Sequence, residues 1–305
     1  TLDPKSPIIH YAAAGIFKHA NQLEESRKLI NETNILSPSF QGCEVSMGKI
    51  LESQYKWEEA KILYSNLKKL KHYNKDLHDQ IYLLDTMFRF YFLTNQHKKL
   101  NALIKSVSII TSKSKTNAII IYANTVLGNH YKLIKNYNAS AEHYRQAVKI
   151  DSDYPFSRLS FAQTLILNKQ YDDAFKVLKQ SRNILQNNKL IYLKNDFLIS
   201  IESTETFAYI KMQDMEKAYL GIHKIKTMDI KNESDRTSEL FKLYFAIGDL
   251  DKGFLNYQNH KEIINRYDSK ILISPLCNDA HKDKRYIDIL KEMRLYNYWK
   301  GNLKV

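Results

Sequence analysis

The sequence predicts an all-α fold, an α-solenoid of stacked helix hairpins with a C-terminal capping helix. Three observations carry this expectation. The phrase "QYKWEEAKILY" at 54 to 64 returns as "KQYDDAFKVL" at 169 to 178, with an aromatic residue, two acids and an alanine ahead of an apolar tail. The residues that fill the aromatic place keep a fixed distance, 34 positions from Leu23 to Trp57 and 34 again from Tyr137 to Tyr171. Self-similarity at a fixed period of this length marks a stacked helical array. Finally, the 305 residues include only 8 glycines and 5 prolines, too few for a turn-rich β architecture or a flexible linker.

Each period reads as two helices. In 7 to 40, Ala13, Ala14 and Phe17 form the first stripe, Ser26, Ile30 and Thr33 the second, and Pro38 closes the unit. In 41 to 74 the same places hold Met47, Gly48 and Leu51, then Ala60, Tyr64 and Leu67. In 121 to 154 they hold Leu127, Gly128 and Tyr131, then Ser140, Tyr144 and Ala147. In 155 to 188 they hold Phe161, Ala162 and Leu165, then Ala174, Leu178 and Ser181. The small residues, among them Gly48, Gly128, Ala60 and Ala174, are expected to let two helix backbones approach, with large residues filling the space between successive pairs.

Three degenerate units complete a count of seven pairs. The segment 81 to 120 keeps Met87, Tyr91, Leu100 and Ile104 but carries about six extra residues on each side. The segment 199 to 232 offers Tyr209, Met215, Ala218 and Ile222, and 234 to 267 offers Tyr244, Leu250, Gly253 and Tyr257. The remainder, 268 to 305, reads as a cap with one helix near 283 to 293 and an aromatic tip at Tyr298 and Trp299. An array needs such an element because its terminal apolar face is otherwise open to water.

This spacing and residue set resembles the tetratricopeptide repeat (TPR). "VLGNHYKLIKNYNASAEHYRQAVKIDSDYP" carries most of the family pattern, with Ser140 in place of its first alanine and Ser152 in place of its terminal proline. The resemblance implies a right-handed superhelix in which the first helix of each unit lines a concave groove. The end of the chain, Asp283, Lys284, Arg285, Tyr286, Ile289, Leu290, Leu295, Tyr298 and Trp299, resembles the tail of bacterial TPR proteins that follow a winged-helix or nucleotide-cyclase domain. Lys284 stands where that tail has proline and Arg294 where it has glycine.

No catalytic motif is present. The sequence contains no HExxH, no GxSxG, no GxGxxG and no glycine-rich phosphate loop, and Cys43 and Cys277 belong to no CxxC spacing. The acid pairs Glu24–Glu25, Glu58–Glu59 and Asp172–Asp173 recur at one place, the predicted first turn of a second helix, where negative charge favours the positive end of the helix dipole. His97, His130 and His143 read as surface or groove histidines. The chain is therefore expected to be non-enzymatic, without cofactor or metal.

The reading that follows is a protein-interaction module, the regulatory part of a larger bacterial regulator. Counting along the first helices places Tyr11, Lys18, Lys49, Glu52, Asn129, Lys132 and Gln163 toward the groove, where a peptide or helix of a partner would lie. The lysine and asparagine clamp for a C-terminal carboxylate known in the family is not reproduced, since Thr125 stands at its first lysine although Asn129 fits. The alternative is polyanion or nucleic-acid contact. The formal net charge is +13, and the excess gathers in 61 to 115, with Lys68, Lys69, Lys71, Lys98 and Lys99 as its face. The longest apolar run, "AIIIYA" at 118 to 123, is far too short to cross a bilayer. The chain opens on Thr1, so a missing signal sequence carries no weight, and the default compartment is the cytoplasm.

Overall fold

A turn in the left-handed region organises this chain. In the computed structural model the described residues are 6–38, 42–67, 76–151, 155–187, 194–229, 232–266 and 268–302, and among them there is no strand. The helices follow one another in pairs: α1 (Pro7–His19) with α2 (Leu23–Leu36), α3 (Cys43–Ser53) with α4 (Trp57–Leu67), α5 (Leu77–Leu93) with α6 (Leu100–Lys113). Next come α7 (Asn117–Leu133) with α8 (Tyr137–Ile150), α9 (Pro155–Leu167) with α10 (Tyr171–Asn187), α11 (Lys194–Lys211) with α12 (Met215–Thr227), and α13 (Glu233–Ala246) with α14 (Leu250–Ile264).

Every one of these pairs is joined by the same closure. Asn21, Tyr55, Asn95, Lys135, Lys169, Gln213 and Gly248 all have positive φ, between 54° and 83°. The next residue then donates its N–H to the carbonyl five residues back, as in Gln22 to Phe17 at 2.8 Å, Lys56 to Leu51 at 2.8 Å and Asn136 to Tyr131 at 2.9 Å. This is the Schellman closure, which satisfies carbonyls orphaned at the helix end. The recurring aromatic or leucine is the first residue of the second helix, so Leu23, Trp57, Tyr137 and Tyr171 open α2, α4, α8 and α10. The acid pairs lie in the first turns of α2, α4 and α10.

The predicted stripes of the second helices are buried throughout, while in the first helices Ala13, Phe17, Met47 and Tyr131 are half-buried. Ser26, Ile30 and Thr33 are buried, as are Ala60, Tyr64 and Leu67, Ser140, Tyr144 and Ala147, and Ala174, Leu178 and Ser181. The expected backbone contact at the glycines is replaced by a ring. A Cβ on Gly48 would lie 2.3 Å from the Tyr64 ring, and one on Gly128 would lie 2.8 Å from the Tyr144 ring. The glycine is a notch in the first helix that receives an aromatic ring from the second. Serine in the family's alanine position adds a hydrogen bond across the pair. Ser26 Oγ donates to the Ala14 carbonyl and Ser140 Oγ to the Gly128 carbonyl, both at 2.7 Å.

The chain forms two compact units. The first holds Thr1–Ile110, Ile264–Tyr267 and Ile289–Gly301, and the second holds Thr111–Ile263, Asp268–Asp288 and Asn302–Val305. The core of the second unit is continuous through α8 to α13, with Phe161, Leu165, Leu178, Phe207 and Leu243 among its buried members. There, Asp268 just before α15 (Lys270–Ile273) is held by α14, with Tyr257 Oη donating to its carbonyl and His260 Nε2 on its carboxylate, each at 2.9 Å.

The segment read as a single cap is divided between the two units. Its helix α16 (Lys284–Glu292) ends in another left-handed residue, Arg294 at φ 55°, ahead of the short α17 (Tyr296–Trp299). Within the first unit, residues 289 to 301 attach to the second and third hairpins. Trp57 Nε1 donates to the Met293 carbonyl at 2.6 Å, Asn95 Nδ2 to the Tyr298 carbonyl at 2.9 Å and Trp299 Nε1 to the Leu93 carbonyl at 2.7 Å. The Tyr298 hydroxyl donates to Glu58.

Candidate partner-binding site

First helices bond to first helices through polar side chains. In the first unit, Tyr11 on α1 and Ser46 on α3 share a hydrogen bond of 3.0 Å. Lys49 on α3 donates to the Tyr82 hydroxyl on α5 at 2.8 Å and sits 4.2 Å from the centroid of that ring. Glu52 on α3 is only 6% exposed and is held on both oxygens, by Tyr64 Oη at 2.6 Å and by Arg89 Nη2 at 2.5 Å. Tyr11, Lys49 and Glu52 are thus brought into one lining, together with three residues the sequence reading did not name: Ser46, Tyr82 and Arg89.

Lys18 belongs to the same lining but is bound differently. It lies half-buried near the end of α1, and its side chain makes no hydrogen bond or ion pair with any described residue. Burial pushes its ammonium down to about 8, and the positive charges of Lys49, Arg89 and Arg266 add to the effect against a single carboxylate, Glu52. Lys49 is also pushed down to about 8, by burial and then by Arg89, with Asp85 and Glu52 opposing. Arg89 moves the other way, because the Glu52 carboxylate outweighs its own burial. Arg266 reaches this lining from the segment Ile264–Tyr267 of the same unit, and its Nη1 lies 3.5 Å from Ser53 Oγ.

The second unit carries its own row. Lys132 on α7 donates to Gln163 Oε1 on α9 at 3.4 Å, and Gln163 Nε2 donates to Thr204 Oγ1 on α11, again at 3.4 Å. Asn129 accepts from the Tyr144 hydroxyl at 2.6 Å. Thr125 on α7 bonds Ser157 on α9 at 2.8 Å, and Ser203 on α11 donates to Glu239 on α13 at 2.6 Å. Burial, then Lys242, pushes Lys132 down to about 8. Hydroxyls and amides dominate this row, whereas charge dominates the lining of the first unit.

The basic face resolves less. Lys68, Lys69 and Lys71 lie outside the described residues. Lys98 and Lys99 are exposed in the short 3-10 turn His97–Lys99, where Lys99 donates to Gln96 at 2.8 Å and lies 4.5 Å from the Tyr91 ring centroid.

Among the histidines, His97 is exposed and packs edge-on against Phe92. His143 is half-buried, bonds Asn124 at 2.8 Å and stacks on Tyr131. His130, read as a surface or groove residue, is 1% exposed and belongs to the interior. Asp76, His78 and Asp79 bring possible ligand atoms within 4.8 Å of one another at the start of α5. There Asp76 caps the helix by accepting from the Asp79 N–H at 3.0 Å, an ordinary helix start. Cys43 and Cys277 are both buried and free.

The sequence matches no family model and no curated protein. Among solved structures, a tetratricopeptide repeat protein from Parabacteroides merdae ATCC 43184 superposes with a TM-score of 0.52 at 14% identity, over 89% of this chain and 97% of its own. The fold is that of a tetratricopeptide-repeat array. The TPR domain of P58(IPK) also matches at 14% identity, over 99% of this chain and 91% of its own, but with a TM-score of 0.24 that superposition carries no argument. In the consecutive pairs of this array α1, α3, α5, α7, α9, α11 and α13 are the leading helices. No helix among the described residues is long and apolar enough to cross a membrane.

Proposed function

We propose that this TPR array is a non-enzymatic module that takes up an extended peptide or helix of a protein partner along the first helices of its repeats. The observation that carries the reading is that each of the two units has its own row of buried or half-buried polar side chains on those helices. Lys18, Lys49 and Lys132 are kept out of bulk water there, and among the described residues no carboxylate is bonded to any of them. Such groups favour a partner that supplies what the protein withholds, and a few anchors of this kind dominate peptide affinity. Tyr11, Glu52, Asn129 and Gln163 contribute shape and hydrogen-bonding capacity beside them.

The setting we propose is cytoplasmic, as the regulatory part of a larger bacterial transcriptional regulator. The support for that setting is the tail pattern from Asp283 to Trp299. Affinity capture with the wild-type chain and with a Lys18→Glu, Lys49→Glu, Lys132→Glu triple variant tests the module. The variant is expected to lose the specific partners. An unchanged set of captured proteins, with helicity preserved, refutes this use of the first helices.

A further inference from the structure

The lining of the first unit is over-supplied with positive charge in a way the row of the second unit is not. Contacts within the unit gather four cations there: Asn21 Nδ2, three residues after Lys18, donates to the Asn265 carbonyl at 2.6 Å, and the adjacent Arg266 reaches Ser53 Oγ at 3.5 Å, four residues after Lys49. Lys49, Arg89 and Arg266 all act on Lys18, and the carboxylates acting on Lys18, Lys49 and Arg89 are Glu52 and Asp85. Glu52 is already spent on Tyr64 and Arg89. Lys49 is spent on the Tyr82 hydroxyl. Two cations remain without an acidic partner among the described residues: the Lys18 ammonium makes no hydrogen bond or ion pair, and the Arg266 guanidinium reaches Ser53 Oγ at 3.5 Å. They come from chain positions 248 apart, so no local helix pattern puts them together.

We propose that this lining is a receptor for a single carboxylate, the side chain of an aspartate or glutamate in the partner segment. Lys18 and Arg266 are its direct donors, and Lys49 and Arg89 supply the surrounding positive field. The inference rests on the interaction-module reading and deepens it by assigning the chemistry of one anchor. A charge-assisted hydrogen bond to a carboxylate is about twice as strong as a neutral one, and partial burial protects it from screening by salt. The field also selects the valence of the guest. Glu52 and Asp85 stand beside the cations and repel a dianionic phosphoryl group more than a singly charged carboxylate. The half-buried Lys18 ammonium carries its charge at a cost in the free protein, and an incoming carboxylate relieves that cost.

The test is selection from a random peptide library on the full chain and on a Lys18→Gln, Arg266→Gln variant. The variant keeps most of the net charge of +13, so non-specific attraction of acidic peptides acts on both proteins alike. Sequences recovered on the wild type are expected to be enriched in aspartate or glutamate at one position, and that enrichment is expected to disappear on the variant. A recovered acidic peptide should then bind about tenfold more tightly than its glutamine twin and its phosphoserine twin. Recovery of peptides with no acidic position overturns the carboxylate receptor and leaves the interaction module standing. Equal enrichment on the variant, or tighter binding of the phosphoserine twin, also overturns it. Recovery of no peptide at all counts against both readings. Circular dichroism of the variant separates lost binding from lost folding.

Discussion

Lys135 shows how a single residue carries the architecture and what it costs. It is exposed, and its φ of 63° places it in the left-handed region, where a Cβ crowds the following carbonyl. The strain persists because its N–H donates to the Lys132 carbonyl at 3.1 Å and the next N–H donates to the Tyr131 carbonyl at 2.9 Å, closing α7. Asn, Tyr, Lys or Gln fills this place in six of the seven hairpins, with Gly248 in the last. Lys135→Gly is therefore expected to stabilise the chain, by about 0.5–1 kcal/mol after glycine's own entropy is deducted. Urea unfolding measures it, and a lower midpoint for the variant would contradict the assignment. The same residues explain why the turn was legible only indirectly. Outside Gly248 no glycine announces it, so the aromatic or leucine two positions later is the marker in the clear units.

At the scale of an element, the tail is the informative case. The sequence fits a helix near 283 to 293, and α16 runs from Lys284 to Glu292. What the tail packs against is another matter. Trp57 has the tryptophan place in the repeated phrase, and tyrosine serves there in α8 and α10. Its indole N–H donates to the Met293 carbonyl, a hydrogen bond to a residue 236 positions away. Trp57→Phe keeps an aromatic ring at the start of α4, beside Phe90, but removes that donor. Leaving the buried carbonyl unpartnered costs roughly 1–3 kcal/mol. The expected outcome is faster amide exchange in 289 to 301 with α1 and α2 unchanged. Unaltered protection of 289 to 301 would mean that Trp57 does not hold the tail.

At the scale of the whole molecule, the repeat predicts how damage spreads. Stability in a stacked array is approximately a sum over repeats and their nearest-neighbour seams. Ala174 on α10 is fully buried in the core of the second unit. Ala174→Leu forces three extra carbons into that seam, an overpacking that costs roughly 1–3 kcal/mol. Exchange should accelerate in α9 and α10 and in the adjoining α8 and α11, while α1 to α4 keep their protection. Uniform acceleration from α1 to α14 would show one cooperative body instead of separable seams.

The amino-acid sequence by itself determined the hairpins. The places of the small and large residues recur at 34 positions within each pair of clear units because each repeat solves the same local packing problem, whereas the seating of the Tyr64 ring on Gly48 and of the Tyr144 ring on Gly128 is visible only in the folded chain. The sequence also brought Tyr11, Lys49 and Glu52 toward one lining, since residues on successive first helices face each other one period apart. Only the tertiary structure decided what completes that lining and what the tail does. Tyr82 and Arg89 lie on α5, whose repeat carries the inserted residues and so falls out of register with the period. Arg266 and the segment from Ile289 to Gly301 join the first unit from far along the chain. A periodic pattern encodes contacts between neighbours in the repeat. It holds no signal for contacts across more than 200 positions, such as Trp57 with Met293 or Asn95 with Tyr298, which follow from the path of the folded backbone.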